Sequence, residues 1–250
     1  MKKNKNIIIL SIMIECLIIA FIAITSLFDG FGFAVFYNIG YGLLLSTAFP
    51  IFCLLKNNED FSSVGIKRMG IRQTIVLISF VIFSIGGQVI PKIIVGERIA
   101  WELLPICLLP LVMTTFFEEF LFHGFFQTRI EKRYGSLVAI FVSAAMFSLF
   151  HLGYPGFRTI EDILLLFAVG AGFAIAYRLS GNNLIVSYFV NLPNAFITYI
   201  FKSEQFPVLT EASTIYAVIS IILIAVLLVF GKNKMKHISI QNIEQDTLQS

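Results

Sequence analysis

The stretch Phe116-Phe-Glu-Glu-Phe-Leu-Phe-His-Gly-Phe-Phe126 places two adjacent carboxylates and an imidazole in an otherwise aromatic and aliphatic run. In an apolar run the backbone must satisfy its own hydrogen bonds, which predicts a helix. If this helix lies in a membrane, the charges of Glu118, Glu119 and His123 are costly there. Three ionisable side chains within six residues therefore predict the centre of a functional site.

The composition of the whole chain is typical of an integral membrane protein. Its 250 residues are 58% hydrophobic and only 13% charged, whereas a soluble domain carries about a quarter charged residues. The net charge of +3 is too small to indicate a nucleic-acid partner. The bilayer is the expected surrounding.

Apolar runs of about 20 residues, long enough to cross a bilayer, recur along the chain. They predict an all-α, integral membrane bundle of about eight transmembrane helices, and residues 1–250 are expected to form a single membrane domain. The predicted spans are 7–27, 33–55, 73–95, 103–126, 136–153, 162–179, 184–201 and 213–230, followed by a cytoplasmic tail at 231–250.

The loops between these spans differ in their content of Lys and Arg, which concentrate on the cytoplasmic side of membrane proteins. With the N-terminus in the cytoplasm, 14 of the 18 fall inside and 4 outside, and an even number of spans returns the C-terminus to the cytoplasm. The inside set is Lys2, Lys3, Lys5, Lys56, Lys67, Arg68, Arg72, Arg129, Lys132, Arg133, Arg178, Lys232, Lys234 and Lys236, and the outside set is Lys92, Arg98, Arg158 and Lys202.

Helix lengths predict that polar side chains from three spans meet in one layer. Glu118 precedes the turn at Gly135 by about as many residues as His151 follows it, so at ~1.5 Å per residue the two side chains lie at one level. Asn191 lies ten residues beyond a second turn at Gly181, or ~15 Å deep. The site is therefore predicted in the inner half of the membrane.

Pro193 lies between Asn191 and Asn194, and a proline inside a span frees the carbonyl four residues earlier and kinks the helix. Such a kink would direct the two amides into a cavity, although an ordinary membrane-helix kink is an equal alternative. A carboxylate can act as general base for water, and an imidazole with amide or carboxylate oxygens can hold a metal or an oxyanion. This set of groups favours hydrolysis within the membrane.

These motifs resemble those of the CAAX-protease and bacteriocin-processing family of intramembrane proteases, also called the Abi family. The family has Glu-Glu-x-x-x-Arg on one span, Phe-x-x-x-His on the next and His-x-x-x-Asn on a later one. Here Glu118-Glu119-Phe-Leu-Phe-His123 corresponds to the first motif, Phe147-Ser-Leu-Phe-His151 to the second and Asn191-Leu-Pro-Asn194-Ala195 to the third. The resemblance covers residues 100–201, with 1–99 as flanking spans.

The resemblance implies an intramembrane endopeptidase that hydrolyses a membrane-associated peptide or protein. Glu118 would activate water and His151 would position it or bind a metal, while Glu119, Asn191 and Asn194 complete the catalytic set. A metal, Zn²⁺ or another divalent ion, would be held by Glu118, His123, His151 and Asn191.

Three positions differ from the family pattern: His123 replaces Arg, Asn191 replaces His, and Ala195 replaces Asn beside Asn194. His123 lies four residues from Glu119 on the same helix face. It would supply the missing imidazole if this face meets His151.

Two other functions fit the same residues. The first is a non-catalytic relative that binds a peptide or toxin, such as a bacteriocin immunity protein. The second is a small transporter with Glu118 or Glu119 as proton site, although paired repeats are not evident. In each case the expected location is the plasma membrane of a bacterium.

Overall fold

A computed structural model of the chain describes residues 7–28, 30–156, 159–201 and 209–249, with 238–249 as backbone only. Its elements are all helices, as predicted. Eight of them, within the described ranges, are long and apolar enough to cross a membrane, so the chain is a multi-pass membrane protein. They are α1 (Ile7–Thr25), α2 (Phe31–Lys56), α3 (Ile71–Ile94), α4 (Trp101–Tyr134), α5 (Ser136–Gly153), α6 (Ile160–Leu179), α7 (Leu184–Phe201) and α8 (Glu211–His237).

Helix α4 is longer than the sequence predicted, because Thr128–Tyr134 continues it as an α-helix. Thr128, Arg129 and Ile130 of this segment are buried. The helix of α8 likewise continues to Gln249, so the described part of the predicted tail is helical.

The two predicted turns are formed by glycines with a positive φ. Gly135, with φ 85°, joins α4 directly to α5, and Gly181, with φ 76°, lies between α6 and α7. Glycine adopts this conformation without the steric cost that a Cβ adds. The antiparallel pairs α4–α5 and α6–α7 therefore follow the predicted geometry.

Five phenylalanines of α4 belong to the core of the bundle. Phe117, Phe120, Phe122, Phe125 and Phe126 are almost fully buried. Large apolar side chains also cover the outside of the bundle, which suits a lipid environment. Examples of these exposed residues are Phe83, Leu137 and Ile160.

Helix α2 approaches α4 at Gly42. A Cβ built on Gly42 would lie only 2.0 Å from Cε2 of the buried Phe117 ring. Small residues allow this kind of close helix contact in membranes. The contact brings Tyr37 and Tyr41 of α2 toward the centre of the bundle, where Tyr41 packs edge-on against Phe117.

One end of the bundle is closed by the loop between α2 and α3. Its Gly65 carbonyl accepts a hydrogen bond from the Leu184 N–H at 2.8 Å. At the start of α3, Arg72 and Gln73 donate to the carbonyls of Leu179 and Ser180, each at 2.9 Å. These bonds satisfy carbonyls that the end of α6 leaves without a helical partner.

Candidate active site

A cavity of about 690 Å³ lies among the helices, and four predicted site residues from three helices line it. They are Glu118 of α4, His151 of α5, and Asn191 and Asn194 of α7. The structure thus brings these four side chains to one cavity. Glu119 and His123 are not among the lining residues.

Asn191 connects the two glutamates. Its Nδ2 donates to Glu118 Oε2 at 3.1 Å and to Glu119 Oε1 at 2.9 Å. Both carboxyls therefore lie against one amide nitrogen, and Asn191 is only 1% exposed. Hydrogen bonds to ionised groups are stronger than neutral ones, so this amide holds Glu118 in place at the cavity wall.

Glu119 points away from the cavity into a buried polar cluster. Ser187 of α7 donates its hydroxyl to Glu119 Oε2, and Nδ1 of His123 lies 2.9 Å from the same oxygen. All three side chains are 0% exposed. Adjacent glutamates thus have different surroundings, since Glu118 meets the cavity and Glu119 is enclosed by protein.

The backbone of this stretch is not a regular α-helix. Glu119–Gln127 is π-helical, and so is Ala34–Ala48 of α2. π-helical turns are rare and frequently occur at functional sites. The change begins between Glu118 and Glu119, where it alters the rotation of the following side chains relative to an α-helix.

The predicted contact between Glu119 and His123 is present, but His123 does not meet His151 in the cavity. Its ring lies beside those of Phe173 and Tyr177, with centroids at 6.5 and 6.3 Å. His123 Nε2 is buried without a hydrogen-bond partner, and Nδ1 is close to Glu119 without hydrogen-bond alignment. The imidazole therefore packs behind the carboxylates and does not complete a ligand set with His151.

His151 lies in the last turn of α5 and has a defined ring orientation. Its Nδ1 lies 2.8 Å from the carbonyl oxygen of Phe147. Because a carbonyl oxygen only accepts hydrogen bonds, Nδ1 carries the proton. In the neutral ring the other nitrogen, Nε2, is then the hydrogen-bond acceptor.

A polar wall on α2, α4 and the segment after α5 was not predicted from the sequence. The Tyr37 hydroxyl lies 2.8 Å from that of Tyr154 and 3.3 Å from Thr114 Oγ1, and all three residues line the cavity. Burial raises the pKa of Tyr154 well above its usual range, which keeps this phenol protonated. Single hydroxyls within apolar helices gave no sequence signal because their spacing follows no recognisable motif.

Gln88 of α3 is a second missed residue. Its Nε2 donates to Asn194 Oδ1 at 2.9 Å, and both residues line the cavity. This bond occupies the Asn194 carbonyl and leaves the amide NH₂ as the donor side of the side chain. Asn194 and Asn191 also flank Pro193, which lies inside the helical stretch Leu184–Phe201.

The residues predicted to bind a metal do not gather into one ligand set. Glu118, Asn191 and His151 line the cavity, whereas His123 lies behind Glu119. Within the described ranges, no group of three His, Cys, Asp or Glu side chains is placed to hold a metal ion. The donor set therefore does not fit a metal centre, and Zn²⁺ or another divalent ion stays a prediction.

Residues 100–195 match a family model described as type II CAAX prenyl endopeptidase Rce1-like. The match begins just before α4 and ends in α7, so it contains Glu118, Glu119, His151, Asn191 and Asn194. Helices α1 to α3 and α8 lie outside it. Searches of curated proteins and of solved structures found no match.

Proposed function

We propose that the chain is an intramembrane endopeptidase for a membrane-associated peptide or protein, because residues 100–195 match the CAAX prenyl endopeptidase family model. The observation that supports this proposal best is the position of Glu118. Its carboxyl lies on the wall of a cavity that the His151 imidazole also lines, and it accepts a hydrogen bond from the Asn191 amide. A hydrogen-bonded carboxylate and an imidazole that line one cavity suit the activation of water.

In the proposed reaction, Glu118 takes a proton from water, and the resulting hydroxide attacks the carbonyl carbon of the scissile peptide bond. The Asn194 amide donates to the oxygen that becomes negatively charged. Glu118 then passes its proton to the amide nitrogen as the C–N bond breaks, which yields a carboxylic acid and an amine; proton transfer between these products gives a carboxylate and an ammonium group. His151 Nε2 accepts a hydrogen bond from the attacking water.

The remaining buried groups act through Glu118 and not on the substrate. Asn191 bridges the two carboxyls, while Ser187 and His123 enclose Glu119. Because Glu119 is surrounded by protein, we assign it a positioning role. The proposed chemistry has no step at a metal ion.

The proposal is tested in vesicles that contain the purified protein and a set of labelled membrane-associated peptides. Glu118→Gln keeps the shape of the side chain but removes the base, so we expect the cleavage rate to fall by about 100-fold or more. Glu15→Gln is the matched control, because Glu15 is also a buried carboxyl in a span, yet it does not line the cavity. Equal cleavage by wild type and Glu118→Gln contradicts the proposal.

A non-catalytic role in peptide binding or bacteriocin immunity is the second candidate. Its support is the third motif, where Asn191 replaces the family histidine and Ala195 replaces the asparagine. The same vesicles distinguish the two functions. A binder would retain a peptide without cleaving it, and Glu118→Gln would leave this retention unchanged.

A further inference from the structure

The cavity extends from Glu118 toward one end of the bundle only. In α4, which runs toward the end formed by Gly135, the lining residues all precede or include Glu118. In α7, which runs in the opposite direction, they all follow or include Asn191. Each helix therefore contributes to the cavity on the same side of the Glu118 layer.

The other helices show the same asymmetry. α3 contributes only residues from Gly87 onward, α6 only residues up to Val169, and α8 only its first turns. The charged residues Lys92, Glu97 and Asp162 line the cavity at the end away from Glu118. Val95, which also lines this end, is 70% exposed and marks the opening. The cavity thus has a mouth at the end that carries the α3–α4 loop.

The opposite end is closed. Beyond Glu118, α4 continues with Phe120, Phe122, Phe125 and Phe126, which are at most 1% exposed. The α2–α3 loop covers this end through the bond from Leu184 to Gly65. No lining residue of the cavity lies in this part of the described chain.

The two ends also differ in charge. Among the described residues, the closed end carries eleven Lys and Arg, whereas the mouth end carries Lys92 and Arg98 only. Both of these are paired with carboxylates, Glu97 at 2.6 Å and Glu102 at 2.7 Å. Lys and Arg mark the cytoplasmic side of membrane proteins. Lys2, Lys3, Lys5, Arg158 and Lys202 lie outside the described residues.

We infer that the cavity opens to the outer face of the membrane, and that its substrate is a peptide segment presented on that face. This inference rests on the proposed function for the act of cleavage, but not for the direction of access. A peptide that meets Glu118 must approach past the mouth, because the cytoplasmic end is filled by aromatic side chains. A segment that emerges only in the cytoplasm has no path to the carboxylate.

Access can be measured without any substrate. We replace the three native cysteines, introduce Leu111→Cys on the cavity wall, and treat intact cells with a membrane-impermeant maleimide. Leu111 is seven residues before Glu118 and lines the cavity. We expect this cysteine to be labelled in intact cells.

Two further variants complete the experiment. Gly87→Cys also lines the cavity, and a Cβ there meets no atom within 4 Å, so this change is expected to fold. Lys132→Cys lies at the closed end on an exposed position and should be labelled only after the membrane is permeabilised. The inference is overturned if Leu111→Cys needs permeabilisation, stays unlabelled in both conditions, or if Lys132→Cys is labelled in intact cells.

Labelling also separates this inference from the proposed function. A protein that is labelled at Leu111→Cys in intact cells but cleaves no peptide has an outward cavity and no demonstrated activity. A protein that cleaves peptides while Leu111→Cys is labelled only after permeabilisation is a protease with access from the cytoplasm. The two outcomes therefore test different statements.

Discussion

Glu118 and Glu119 are neighbours in the sequence, yet one faces a cavity and the other a packed cluster. The difference depends on Asn191, whose single amide nitrogen contacts both carboxyls. Without that donor, two buried carboxylates would lose a shared hydrogen bond and repel each other more strongly. Asn191 is therefore the side chain on which the position of Glu118 depends most.

Replacement of Asn191 should reduce cleavage through the position of Glu118. Asn191→Leu removes the donor, and because hydrogen bonds to charged groups contribute about 1.5–3 kcal/mol, we expect a fall in kcat of roughly 10- to 100-fold. Asn191→His introduces the residue type of the family motif. Its ring N–H can replace the amide as hydrogen-bond donor, so this variant should recover much of the rate. Steady-state kinetics in vesicles provides the measurement, and a histidine variant as inactive as the leucine variant would contradict this role.

Part of the geometry of the candidate site could be predicted from the sequence. Counting from the turns at Gly135 and Gly181 placed Glu118, His151 and Asn191 in one layer, because residue number fixes height along a helix. It could not fix rotation about the helix axis, and the π-helical turns begin between Glu118 and Glu119. Ser187 and Gln88 were missed for a related reason, since one polar residue in an apolar helix has no pattern of its own.

At the scale of helices, the bundle depends on close contacts that a single methyl group can disturb. Gly42 of α2 lies against the ring of Phe117, and this ring also packs on Tyr41. A buried ring with neighbours on several sides has little space into which it can move. The contact between α2 and α4 thus requires glycine at this position.

Gly42→Ala should destabilise the protein by about 1–3 kcal/mol, the usual cost of overpacking a core. Gly172→Ala is the matched control, because a Cβ on this helical glycine of α6 meets nothing within 4 Å. That change should be neutral or stabilise the protein by up to about 1 kcal/mol, as alanine favours helix over glycine. Unfolding midpoints in detergent would measure both, and equal midpoints would contradict the contact.

The ends of the helices were harder to predict from the sequence than their number and order. The eight spans were predicted with the observed order because each is an apolar run of sufficient length. The predicted span ended at residue 126, whereas α4 continues to Tyr134. In the structure Arg129 is buried, with its guanidinium 2.7 Å from Glu59 and over the Phe125 ring. A partner 70 residues away in the chain cannot be found from local composition.

On the scale of the whole molecule, one end of the bundle is tightly joined and the other contains the cavity. The joined end depends on Gly65, whose φ is 87° and whose carbonyl accepts from the Leu184 N–H. A Cβ on Gly65 would lie 2.7 Å from the Tyr177 hydroxyl and 2.8 Å from the Asn182 carbonyl oxygen. This loop therefore requires glycine for both conformation and space.

Gly65→Ala should lower the free energy of unfolding by more than the cost of the positive φ alone. A positive φ costs a residue with a Cβ about 1–2 kcal/mol, and the contacts described above add about 1–3 kcal/mol of overpacking. Gly96→Ala isolates the first contribution, because Gly96 has φ 75° and nothing within 4 Å of a Cβ. Thermal unfolding of both variants in detergent gives the comparison. Similar losses at the two positions would show that the loop tolerates a methyl group at Gly65.

Helix α3 forms one wall of the cavity although none of its residues is buried. Its fixed points are the bonds from Arg72 and Gln73 at one end and the bond from Gln88 to Asn194 further along. Lipid acyl chains therefore surround much of this helix, and a change in bilayer thickness costs fractions of a kcal/mol per ångström of mismatch. That cost is small, but it acts on a wall of the entrance that contains no buried residue. The acyl-chain length of the surrounding lipids would thus change the width of the cavity entrance. Lipid composition would then regulate this protein without a dedicated lipid-binding site.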